Sequence, residues 1–341
     1  MSEFPFNHLD DVSFNLALYE LAHGPVRFNN DRLECLYFNP INNCNTVISS
    51  DIDPDSNFLN LPSKCSYYNE QELNDLIGNK KDAINFSLLH INAFSFLKTF
   101  DKFTQLLDSS QHEFSAIGIS ETWLNNINED YVNITGYRFI SSNRVGRLGG
   151  GAGLYLRDTF NFNIMSDLCS SNSALFDSVF VEIENPHGKN FIIGTVYRPP
   201  SANLHEFLES FHQLLDRVTR DNKMCYIMGD FNLDLLNTDL HSTTNEFINA
   251  LFSHFLYPLI SRPTRLTSYS ATLIDNIFTN NISASCDNGL IINDLSHNLP
   301  ICTFCYTDAR SSTIKPKESV AIRNFSSQNI NAFNNLLCEC D

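Results

Sequence analysis

Cys225-Tyr226-Ile227-Met228-Gly229-Asp230-Phe231-Asn232-Leu233-Asp234 is the stretch that decides the reading of this chain. Its first four residues predict a short buried strand, and the glycine and polar residues after them end it. Asp230 and Asn232 therefore stand where a strand stops. The pattern recurs outward from here. Asn92 ends an apolar run that starts at Ile84, and Glu121 follows Ala116-Ile117-Gly118-Ile119-Ser120. Asp275 lies inside Leu273-Ile274-Asp275-Asn276-Ile277-Phe278. A carboxylate in such a run must be paired or bind a cation, because an uncompensated buried charge is expensive. One such residue is a common strand-end cap. Several together, all oxygen donors with no Cys or His, point to Mg2+ rather than zinc. Mg2+ takes one or two carboxylates from protein and its remaining ligands from water and phosphate, which suits phosphoester hydrolysis by an in-line water.

Between these strand ends the periodicity predicts three helices: residues 96–107, 204–218 with Phe207, Leu208, Phe211, Leu214, Leu215 and Val218 on one stripe, and 244–256. Further strands are expected at 84–92, 116–120, 149–157 after a glycine cluster, 179–183, 191–197, 274–278 and 300–306. A hairpin is expected at Asn185-Pro186-His187-Gly188. Strands interleaved with helices favour helix layers on sheets, with two sheets face to face.

The 341 residues hold 22 Lys+Arg against 39 Asp+Glu, a net charge of −17. With 43% hydrophobic residues a buried core is assured and wholesale disorder excluded. A free-standing polybasic nucleic-acid binder is excluded too, since the mean field repels phosphate. Residues 1–83 carry 13 acids and 5 bases, a net of −8, and read as an acidic, partly ordered leader with one short amphipathic helix at 11–21. The ten cysteines lack metal-ligand spacing, and Cys302 and Cys305 would face opposite sides of one strand, so free thiols in a reducing compartment are expected. The N-terminus has no secretory signal, and no run approaches the ~20 apolar residues of a membrane span. An intracellular protein, nuclear or cytoplasmic and not secreted, with no membrane partner, is expected.

In order along the chain stand Leu89-His90-Ile91-Asn92, Ser120-Glu121-Thr122-Trp123-Leu124, Gly149-Gly150-Gly151-Ala152-Gly153-Leu154, Tyr197-Arg198-Pro199-Pro200, Gly229-Asp230-Phe231-Asn232-Leu233-Asp234, Pro263-Thr264-Arg265-Leu266-Thr267 and Leu273-Ile274-Asp275-Asn276-Ile277-Phe278-Thr279-Asn280. This set resembles the endonuclease/exonuclease/phosphatase (DNase I-like) family, and more narrowly the endonuclease domain of non-LTR (LINE-type) retrotransposon proteins. The resemblance runs from about residue 84 to 306. It implies an α/β four-layer sandwich of two mainly antiparallel sheets flanked by helices, with the active site at one edge. It also implies a DNA substrate nicked by metal-assisted water attack, with Mg2+ (or Mn2+) and no small-molecule cofactor. By motif, Glu121 would be the main metal ligand with Asn92 beside it. Tyr197 would donate to the scissile phosphate, Asp230 would orient or activate the water, Asn232 would help hold the phosphate and Asp275 would orient a catalytic histidine. Arg144, Arg147 and Arg198 are candidates for contacts to the DNA backbone.

The family's last motif, Ser-Asp-His-x-Pro, appears here as Ser296-His297-Asn298-Leu299-Pro300. In register, His297 stands at the Asp position and Asn298 at the His position. An amide can donate a hydrogen bond but cannot carry a proton's charge, and losing a general acid or base of this kind costs roughly 10²–10⁴-fold. His297 is not expected to take over the neighbouring role, because adjacent strand residues face opposite ways. The family's Asn-Ile-Arg-Ser is likewise Asn92-Ala93-Phe94-Ser95. Residues 307–341 read as a polar tail, and a reverse transcriptase expected after the domain does not follow, so the chain reads as a truncated copy. The expected activity is therefore impaired. The alternatives are a catalytically dead remnant or interaction module that keeps the fold, and a branch acting on lipid or inositol phosphates.

Overall fold

The computed structural model describes residues 65–144, 149–171, 174–186, 188–238, 240–267, 269–281 and 285–306. The helix expected at 11–21, the tail from 307 and Arg147 lie outside the described residues.

In chain order the elements are β1 (Cys65–Tyr68), α1 (Glu70–Lys80), β2 (Ile84–Asn92), α2 (Phe96–Ser109), β3 (Ala116–Ser120), β4 (Tyr137–Ser142), β5 (Ala152–Arg157), β6 (Phe162–Ile164), β7 (Asp177–Ile183) and β8 (Phe191–Tyr197). There follow α3 (Leu204–Thr219), β9 (Met224–Asp230), α4 (Ser242–Ser253), β10 (Tyr257–Pro258), β11 (Arg265–Leu266), β12 (Ala271–Thr272), β13 (Asp275–Thr279), β14 (Cys286–Ile291) and β15 (Ile301–Tyr306).

The first sheet runs β1-β14-β15-β2-β3-β5-β4, and the second β10-β13-β9-β8-β7-β6. Most neighbours are antiparallel, as expected. The exceptions are β1 with β14, β2 with β3 and β8 with β9. Each of the last two parallel pairs is bridged by an amphipathic helix, α2 or α3, as a parallel crossover requires. The predicted hairpin is present, with β7 and β8 antiparallel over their full length.

In the middle of the first sheet both faces are buried, so β2, β3 and β5 are largely apolar runs. Along β2, Leu88 faces the second sheet while Leu89 and Ile91 face the helices. Leu154 and Tyr155 on β5 divide in the same way. One core lies between α1 and α2 and the first sheet, around Leu73, Ile77, Phe96 and Phe103. The other fills the space between the sheets and continues under α3 and α4, around Phe207, Phe211, Phe231 and Phe247. The layers are thus helix, sheet, sheet, helix. Cys302 sits in the first core and Cys305 in the second, and the six described cysteines are free thiols.

The leader boundary expected at residue 83 needs correction. Residues 65–83 contribute β1, which extends the first sheet, and α1, which buries Leu73 and Ile77. The helix signal was present in the sequence. Asn69 caps α1 by accepting from the Glu72 amide at 2.9 Å, and Glu72 accepts from the Asn69 amide at 2.9 Å.

Candidate active site

The strand-end residues meet because the registers put them in rows. Asp177, Tyr197, Asp230 and Asp275 are consecutive pairing partners across β7, β8, β9 and β13. In the facing sheet Asn92 pairs with Ser120, the residue before Glu121. Asn92 joins the two rows. Its Nδ2 donates to Glu121 Oε1 at 3.0 Å and to Asp230 Oδ2 at 2.5 Å.

Asp230 is buried, and burial, aided by the charge of Glu121, pushes its carboxyl up to about 7. Its Oδ1 accepts from the Asn232 amide at 2.9 Å. Asp275 is raised well above the usual carboxylate range, first by burial and then by the charge of Asp230. Burial likewise raises Tyr197, with Glu121 and Asp230 adding to it, so its hydroxyl stays protonated.

His297 and Asn298 face opposite ways. Asn298 points inward and is buried, and its Nδ2 donates to Asp275 Oδ2 at 3.0 Å and reaches Asp230 Oδ2 at 3.4 Å. His297 is exposed, its ring 5.3 Å from that of Phe94 in an edge-on contact. The aspartate that would orient a histidine here holds an amide. Among the described residues the imidazole beside Asp275 is His90, its Nδ1 3.9 Å from Asp275 Oδ1 and the residue 1% exposed. Burial lowers it to about 3, so it is neutral.

Two arginines expected to contact DNA are committed inward. Arg198 is buried, and its guanidinium donates to the carbonyls of Phe231 (3.3 Å), Asn232 (3.4 Å) and Ala202 (3.0 Å). It shapes the turn that carries Asn232, whose side chain donates back to the Arg198 carbonyl at 2.8 Å. Arg144 pairs with Asp177, Nε to Oδ1 at 2.9 Å, and lies over the Tyr197 ring. Burying a cation requires such partners, and sequence alone does not say which way an arginine turns.

Three residues with a part in the site carried no assigned role from sequence. Asp177 holds Arg144 and also accepts from the Gly151 amide at 2.8 Å. It heads an apolar strand just as Asp275 does, which was its signal. Thr264 Oγ1 accepts from the amides of Ile274 and Asp275 at 3.2 Å each, fixing the start of β13. Arg265 is exposed, and its charge bears on the Asp230 carboxyl.

The backbone at this edge is strained. Phe94, Ser95, Glu121, Trp123 and Asn232 all have positive φ, as do Gly149, Gly150 and Gly151. Only glycine suits the last two positions: a Cβ would lie 2.3 Å from the Arg144 guanidinium at Gly150 and 2.4 Å from Thr122 Oγ1 at Gly151. Clustered strain of this kind marks functional edges.

The model of the Endonuclease/Exonuclease/phosphatase family matches residues 89–295, more than half of the chain. The chain belongs to this family. The match takes in every assigned strand-end residue through Asp275 and stops just before Ser296. Two solved structures with TM-scores above 0.5 agree on the fold. The AP endonuclease LMAP from Leishmania major aligns with a TM-score of 0.55 at 12% identity, covering 67% of this chain and 89% of that one. The catalytic domain of Xenopus laevis APE2 aligns at 0.51 and 14% identity, covering 65% and 92%. The endonuclease domain of TRAS1, a telomere-specific non-LTR retrotransposon, aligns at 0.49 and 14%, covering 65% and 99%. Among proteins with curated functions, none matches the chain in sequence.

No cluster of three or more His, Cys, Asp or Glu side chains among the described residues is arranged to hold a metal without movement. The donor chemistry nevertheless fits a hard cation. Glu121 and Asp230 supply carboxylate oxygens that converge on one amide, with no sulfur or imidazole among them. Among the described residues no helix is long and apolar enough to cross a membrane.

Proposed function

We propose that the chain is a Mg2+-dependent phosphodiesterase domain that nicks DNA, of the non-LTR retrotransposon branch, with activity impaired by its last motif. Mn2+ is the alternative ion. One observation carries the reading: Asn92, Glu121 and Asp230, from the ends of strands in two sheets, meet within hydrogen-bond distance, with Tyr197 beside Asp230 in register.

Glu121 and Asn92 would hold the cation through side-chain oxygens. When bound, the cation supplies charge stabilisation at the phosphate oxygens. Asp230, with a carboxyl near 7, orients the attacking water and can accept its proton. Tyr197 keeps its proton and donates a hydrogen bond from its hydroxyl to a phosphate oxygen. Asn232 keeps one amide hydrogen beyond its bond to the Arg198 carbonyl and can add a second donor. Tyr197-Arg198-Pro199-Pro200 and Pro263-Thr264-Arg265 favour the retroelement branch over one acting on lipid or inositol phosphates.

Asn298 is why activity would be low. It occupies the place facing Asp275 but has no ionisable proton to give the leaving oxygen. The same observation favours the second reading, a dead copy that keeps the fold. The test is nicking of supercoiled plasmid by the full chain with Mg2+. Slow nicking that Glu121→Ala abolishes is expected, and the pair His297→Asp with Asn298→His should raise the rate roughly 10²–10⁴-fold. Nicking equal to the Glu121→Ala background before and after repair, in a folded protein, would overturn the nuclease reading.

A further inference from the structure

We propose that Phe94, Trp123 and His297 form a stacking platform for an unpaired nucleobase next to the scissile phosphate. The proposal rests on the reading of DNA as substrate and names how that substrate is held. The Phe94 ring lies 5.0 Å from Trp123 at an interplanar angle of 55° and 5.3 Å from His297 at 68°, between centroids, so the Phe94 face is the stacking surface and the other two rings brace it. Phe94 is 49% exposed and His297 is exposed, so aromatic surface that could have been buried is presented to solvent.

The platform is tied to the catalytic edge through hydrogen bonds. Trp123 Nε1 donates to Glu121 Oε2 at 3.3 Å, and the Phe94 amide donates to Asn92 Oδ1 at 3.1 Å. The amides of Ser95 and Trp123 bond the carbonyls of Glu121 and Gly150. Phe94 and Trp123 hold their rings there at positive φ, which is costly for bulky side chains. Phe94 and His297 are both positions where the chain departs from the family pattern, and they touch each other.

The charge argument selects the ligand. With a net charge of −17 and with Arg144 and Arg198 turned inward, this edge keeps the exposed Arg265 near Asp230 for phosphate, and so limited electrostatic affinity. Stacking needs no cation and is worth about 1–3 kcal/mol per base. A base within a duplex is already stacked on both faces, so the platform takes one that is flipped out or single-stranded.

Trp123 is the chain's single tryptophan, so its fluorescence reports on this surface alone. The full chain in EDTA is titrated with a short oligothymidylate and with a base-free sugar-phosphate oligomer of equal length. Quenching by the oligothymidylate, tenfold or more weaker with the base-free oligomer, is expected. Phe94→Ala should weaken binding roughly 5- to 150-fold with unchanged circular dichroism, and Phe94→Tyr should restore it. No quenching, equal quenching by the base-free oligomer, or unchanged affinity in folded Phe94→Ala would overturn the platform. Because no cleavage occurs in EDTA, a failed nicking assay and a failed stacking assay remain separate results.

Discussion

Asp230 and Asp275 face each other across β9 and β13, and burial raises both carboxyls. In the unfolded chain each would titrate near 4. The folded state therefore binds these protons more tightly, and stability is lost as pH rises from about 4 through the folded value, about 7 for Asp230. Replacing Asp275 by Asn removes one of the charges while keeping an acceptor for Asn298. Thermal unfolding should find Asp275→Asn more stable at pH 8, by on the order of 1–3 kcal/mol, with the gain vanishing near pH 4. A gain independent of pH would mean that the ionised form is not the source. Asp275 was legible in the sequence because a carboxylate in an apolar run is anomalous. Arg198 was legible as a residue but not as a role, since a motif arginine can bind phosphate or, as here, backbone carbonyls.

At the scale of elements, the predicted strands and helices were those whose composition matched their environment. The apolar run of β2 and the Phe207 to Val218 stripe of α3 needed only a buried surface to form. β14 was missed because Asp287, Asn288 and Gly289 are poor strand formers. Its polar residues are satisfied across the sheet, Asn288 accepting from Thr303 Oγ1 at 3.0 Å and Asp287 from the Tyr306 hydroxyl at 2.6 Å. β1 covers the edge of β14 and α1 covers the outer face. A chain beginning at residue 84 should lose this cover, expose an open strand edge and aggregate, whereas one beginning at 65 should remain monodisperse. Size-exclusion chromatography and unfolding of the two chains test this. Equal behaviour would mean that residues 65–83 are not required by the fold.

For the whole molecule, the net charge sets how DNA could be held. Arg265 is the exposed cation whose charge bears on Asp230, so it is the residue expected to meet phosphate. Arg265→Ala should weaken duplex binding at low salt and reduce the slope of log affinity against log salt by about 0.9. An unchanged slope would place the phosphate contact elsewhere. What the sequence determined by itself was the family, the layered α/β architecture and the order of strand-end donors. Those follow from periodicity and from polar residues placed where apolar runs stop, which are local properties. The tertiary structure decided which donors meet, that Arg144 and Arg198 turn inward, that Asn298 points in and His297 out, and that Phe94, Trp123 and His297 share one edge. Register across two facing sheets brings together residues more than a hundred positions apart, as Asn92 and Asp230 are, and the bend before β15 decides which of His297 and Asn298 faces the site. Neither is a property of any local stretch of chain.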